Sequence, residues 1–119
     1  MKPLYLAAIL MIAPTLSFAD PPVIEQVSAE RSDNGWRFDV TIRHADSGWE
    51  HYADAFRVLD MDGNELAMRP LAHPHTEEQP FTRSVSAVRI PEGTRQVQVQ
   101  ARDLPDGWND DTTVVNLKN

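Results

Sequence analysis

Four histidines, His44, His51, His73 and His75, fall in one part of the chain, and neutral imidazole is the commonest transition-metal ligand among side chains. Carboxylates surround them: Asp46, Glu50, Asp54, Glu77 and Glu78 nearby, with Asp103, Asp106, Asp110 and Asp111 further on. Imidazole combined with carboxylate suits zinc or copper(II). Residues two apart in an extended segment face the same side, so His73 and His75 can address one centre across the stiff Pro74. The expected ligand order is therefore His73 and His75, then His51, then His44. Met61 and Met68 suggest copper(I), but Met61 falls in a remote turn and Met68 on the expected core face of a strand. Each histidine also has a structural reading. His44 continues the inward phase of its strand and can cap the core, while His51, between Glu50 and Tyr52, can hold a loop carbonyl. No spacing here is diagnostic of a known metal centre.

Two tryptophans support a different chemistry. Trp49 and Trp108 each follow a glycine, beside Glu50 and Asp106 respectively. Exposed indoles next to carboxylates hold sugar rings and cationic groups by stacking and hydrogen bonding, which would suit a protein or glycan partner. The competing expectation is that each ring folds back over the end of the domain, because aromatic side chains are highly buried on average. Catalysis has little support. The chain has no cysteine, and it lacks a G-x-S-x-G, a phosphate loop and an H-E-x-x-H. Binding, not an enzymatic reaction, is the expected activity.

The elements that position these residues read as strands. Trp36, Phe38, Val40 and Ile42 alternate with Arg37, Asp39, Thr41 and Arg43, and Val97, Val99 and Ala101 alternate with Gln96, Gln98, Gln100 and Arg102. That period of two marks half-buried strands. Ser32-Asp33-Asn34-Gly35, Met61-Asp62-Gly63-Asn64 and Pro91-Glu92-Gly93 read as turns. Strands are expected at 23–30 (A), 36–44 (B), 52–60 (C), 64–71 (C′), 82–90 (E), 95–102 (F) and 112–117 (G). Nine prolines leave no useful amphipathic helix. The fold class is thus all-β, an immunoglobulin- or fibronectin-like β-sandwich of about seven strands without a disulfide. In that topology the B–C loop, the segment 71–80 and the F–G connection share one end, which would gather the four histidines, both tryptophans and most of the acids.

Residues 1–19 have the layout of a cleaved secretory signal peptide. Lys2 gives a positive start, Leu4 to Leu16 is largely apolar, and Ser17-Phe18-Ala19 places small residues before Asp20. The apolar run is too short to be a good membrane span. A single domain over 20–119 follows, large enough for one core. Loss of Lys2 moves the formal charge from −7 to −8. Such an acidic surface argues against nucleic acid and anionic membranes, both of which require clustered cations. Periplasmic or secreted placement is expected.

Two segments carry a resemblance: Arg43-His44-Ala45-Asp46-Ser47-Gly48-Trp49-Glu50-His51-Tyr52-Ala53-Asp54, and His73-Pro74-His75-Thr76-Glu77-Glu78-Gln79-Pro80-Phe81-Thr82-Arg83. They resemble a group of small exported proteobacterial proteins with GWxHYAD and HPHxxEQPFTR segments. The resemblance covers most of the mature chain. It implies an exported β domain and brings no activity with it.

Overall fold

The computed structural model describes residues 20–118, so the signal-peptide reading over 1–19 lies outside the described residues. The described chain is a sandwich of two antiparallel sheets. The strands are β1 (Val23–Ser32), β2 (Gly35–Arg43), β3 (Tyr52–Leu59), β4 (Glu65–Pro70), β5 (Phe81–Val88), β6 (Gln96–Leu104), β7 (Gly107–Trp108) and β8 (Thr113–Asn116). One sheet has the order β1-β2-β5, and the other runs β4-β3-β6-β7, with β8 also paired to β6. In the lettering above these sheets are A-B-E and C′-C-F-G, the expected sandwich. Strand C′ joins the sheet of C.

Alternation drives this arrangement. Trp36, Phe38, Val40 and Ile42 of β2 are buried, as are Val97, Val99 and Ala101 of β6. They meet Phe56 and Val58 of β3 and Phe81 and Val88 of β5 in one continuous core. Burying each such side chain contributes roughly 1.5–3 kcal/mol, and without a cysteine this burial is the main stabilising term. Met68 departs from expectation. It lies on the edge strand β4 and is exposed, because the β3–β4 register sets it beside Arg57 on the outer face.

The turns and strand ends also differ in detail. Strand F reaches Leu104, so the expected F–G loop reduces to a tight turn at Pro105-Asp106, and β7 pairs back onto Arg102 and Asp103. The expected strand G is β8, and β7 is an additional two-residue strand within the expected F–G loop; the two pair with opposite ends of β6. Asp33 and Asn34 form the first turn, and Gly35 opens β2 with φ +124°. A Cβ on Gly35 would lie 2.7 Å from the Val88 carbonyl oxygen, so both backbone conformation and space demand glycine there. Gly35→Ala is expected to cost about 2 kcal/mol or more, read as a lower urea midpoint at unchanged slope. Gly63→Ala, with φ +90° but nothing within 4 Å, should cost clearly less.

Candidate metal centre

The strand ends bring polar groups into the core. In β2 the inward series Phe38, Val40, Ile42 continues to His44, whose side chain is fully enclosed. In β6 the inward series Val97, Val99, Ala101 continues to Asp103, which is 1% exposed. These strands belong to opposite sheets, so the two side chains meet across the sandwich, with His44 Nε2 3.5 Å from Asp103 Oδ2. His51 enters from the loop before β3, and its Nε2 is 3.9 Å from the same oxygen. The His44 and His51 rings meet edge to face at 4.8 Å.

The three facing atoms, His44 Nε2, His51 Nε2 and Asp103 Oδ2, are buried and have no hydrogen-bond partner. Each lies within 4.8 Å of the other two. Leaving such groups unsatisfied is costly, and buried polar atoms in native proteins almost always have partners. Ligands about 2.0–2.1 Å from a tetrahedral zinc are separated by about 3.3–3.4 Å. The two separations to Asp103 Oδ2, 3.5 and 3.9 Å, lie close to that value, whereas the widest separation in the group, up to 4.8 Å, requires the rings to close by about 1.4 Å around an ion.

The outer faces of the rings are already fixed. His44 Nδ1 lies 2.6 Å from Asp46 Oδ1. The same oxygen accepts the Ala53 N–H at 2.9 Å, and Oδ2 accepts the His75 N–H at 2.7 Å. An ionised carboxylate only accepts, so His44 Nδ1–H donates to it, and His44 Nε2 faces Asp103. His51 Nδ1 lies 3.2 Å from Ser47 Oγ, which orients its Nε2 toward the same centre. Carboxylate or hydroxyl support behind a histidine is the usual outer shell of a metal ligand. Burial raises the Asp103 pKa, the charge of Asp106 raises it further, and His44 and His51 oppose the shift. Two ring nitrogens and a carboxylate oxygen face one another here, and a proton or a cation between them would bridge the group.

His73 and His75, expected to lead the ligand set, stand apart from this group. The His75 ring stacks on Phe81 at 3.8 Å, and its Nε2 accepts a hydrogen bond from Arg83 Nη2 at 2.9 Å. The guanidinium thus occupies Nε2, while the buried Nδ1 has no hydrogen-bond partner and lies 3.8 Å from Asp46 Oδ2. His73 is exposed and donates from Nδ1 to the Pro74 carbonyl at 2.9 Å. The two rings are neighbours, 4.6 Å apart, but they do not join His44 and His51. Asp103 replaces them. It was grouped with the loop acids in the sequence, although its inward phase on strand F was the available signal.

The tryptophans also divide. Trp108 is half-buried, with the Arg57 guanidinium 3.9 Å and the Arg102 guanidinium 5.0 Å from its ring centre. Asp54 holds Arg102 through two hydrogen bonds of 3.0 and 3.1 Å. Trp108 is therefore a fixed part of the outer sheet face. Trp49 is 66% exposed and packs edge-on against Tyr52, and Glu50 and Asp106 are exposed. Of the expected partner-binding residues, Trp49, Glu50 and Asp106 remain accessible.

The chain is 32% identical over 103 residues to a protein of Halomicrobium mukohataei that bears the name "Putative lipoprotein". The match takes in 87% of this chain and 50% of the relative, so the chain spans about half the length of the curated relative it matches. No family model matches the chain, and no solved structure matches it.

Two predictions follow from Asp46 and His75. Asp46→Asn replaces an acceptor with an amide that must turn an N–H toward at least one of three donors. Breaking a buried charge network of this kind costs about 3 kcal/mol, measurable by urea unfolding; a loss under about 1 kcal/mol would show that Asp46 is dispensable. Burial, reinforced by Arg83 and His73 against Asp46 and Glu78, lowers the His75 pKa below 6.5. Neutral His75 thus contributes stability that is complete above pH 6.5 and lost as pH falls through the lowered folded value. The unfolding midpoint of the metal-free protein should drop as pH falls below 6.5, and His75→Gln should flatten that limb.

Proposed function

We propose that this protein is an exported β-sandwich that binds one divalent transition-metal ion, zinc or copper(II), through His44 Nε2, His51 Nε2 and Asp103 Oδ2. The observation that carries this reading is the convergence of three buried atoms without hydrogen-bond partners from both sheets and a loop. A cation would satisfy all three together. Two imidazoles and a carboxylate are borderline ligands that favour zinc or copper over calcium, which prefers six to eight oxygens. Asp46 and Ser47 serve as the groups that hold the rings in place.

Export is supported by the signal-peptide layout of residues 1–19, by the name borne by the Halomicrobium relative, and by the resemblance to exported proteobacterial proteins. In this reading the protein binds and holds the ion, and no reaction is assigned to it. The acidic surface favours accumulation of cations near the site.

Titration of the purified mature chain with zinc or copper(II) should show one equivalent bound. At a hundredfold excess of free ion over Kd, stability rises by about 2.7 kcal/mol, which for a domain of this size raises Tm by about 10–20 °C. His44→Ala, His51→Ala and Asp103→Ala should each abolish most of that rise, whereas His73→Ala should leave it intact. A Tm unmoved by either ion, or a rise that survives Asp103→Ala, would sink the proposal.

A further inference from the structure

We infer that the bound ion keeps one coordination position open on the His51 side, and that this position takes a small neutral nitrogen donor such as imidazole. The inference rests on the metal reading above and deepens it. Among the described residues the group that converges on the centre supplies three ligand atoms, whereas structural zinc sites are closed by four protein ligands.

Most of the nearby donors that could close the site are engaged, and the one that is not, His75 Nδ1, lies beside Asp46 Oδ2 at 3.8 Å and outside the converging group. Asp46 Oδ1 takes His44 Nδ1–H and the Ala53 N–H, and its Oδ2 takes the His75 N–H. His75 Nε2 accepts from Arg83, and His75 is not part of the group that converges on the centre. Ser47 Oγ is occupied behind the His51 ring. Access is one-sided: the His44 and Asp103 side chains are 0% and 2% exposed, whereas that of His51 is 24% exposed. An incoming ligand must therefore arrive past His51.

The surroundings select the charge of that ligand. One carboxylate of the site cancels half the charge of a divalent ion, and the enclosed Asp46 carboxylate lies directly behind His44. Asp106 is close enough to act on Asp103. These negative groups weaken the pull of the ion on an incoming anion but not on a neutral ring nitrogen, and imidazole nitrogen suits both zinc and copper(II).

Visible absorption and electron paramagnetic resonance of the protein loaded with one equivalent of copper(II) test this. Titration with free imidazole should move the d–d band to higher energy and add nitrogen hyperfine structure, with copper still eluting with the protein on gel filtration. Azide should require about tenfold higher concentration for a comparable change. An unaltered spectrum with copper retained would overturn the inference, because the fourth position would then be filled by the protein, for instance by both oxygens of Asp103. Azide binding as readily as imidazole, or copper leaving the protein with the imidazole, would also overturn it. Failure to load copper or zinc at all would instead remove the metal reading itself, so the two failures are distinct.

Discussion

One buried carboxylate holds this end of the molecule together. Asp46 lies in the loop after β2, and its two oxygens take the backbone N–H of Ala53 at the start of β3, the backbone N–H of His75 in the β4–β5 connection, and the ring N–H of His44. Three separate chain segments thus converge on a single side chain. Removing an ionised carboxylate from water is costly unless its lone pairs are satisfied, and here they are met by donors from each segment. The positions of three of the four histidines follow from that one choice: His44 is oriented directly, His75 is pinned through its backbone, and His51 falls into place because the loop from Ser47 to His51 is short and closed by its own hydrogen bonds.

Phase governs the rest. A strand presents alternate side chains to the core, and the pattern continues until the strand ends, whatever residue type comes next. At the far ends of β2 and β6 the next inward residues are His44 and Asp103, so the apolar interior of the sandwich gives way to a polar chamber without any break in strand geometry. The neighbouring outer face follows the opposite logic, with Arg57 and Arg102 covering Trp108 and Asp54 fixing Arg102.

Much of the fold was legible in the sequence because it depends on alternation and turn chemistry. Seven of the strands and the shared end of the loops follow from Trp36–Ile42, Val97–Ala101 and the turn residues, whereas the sheet that strand C′ joins and the short strand β7 do not. The site was only partly legible. His44 and His51 could be named, since histidines are few and their types are informative. Spacing misled for His73 and His75, because a two-residue separation says which way rings can point but not that Arg83 and Phe81 await one of them. Asp103 was hidden by an early end assigned to strand F. Two more residues of strand convert it from a loop acid into a core acid.

His44 and Asp103 also occupy a notable pair of strands. In antibody domains the strands corresponding to β2 and β6 are joined by a disulfide across the sandwich, and this chain has no cysteine. An ion shared by His44 and Asp103 would tie the same two strands across the same gap. A tether closing a loop of that length confers about 4 kcal/mol in the chain-entropy view. Unlike a disulfide, it would be indifferent to reductants and responsive to ion supply, so the persistence of the folded chain would track metal availability instead of redox state.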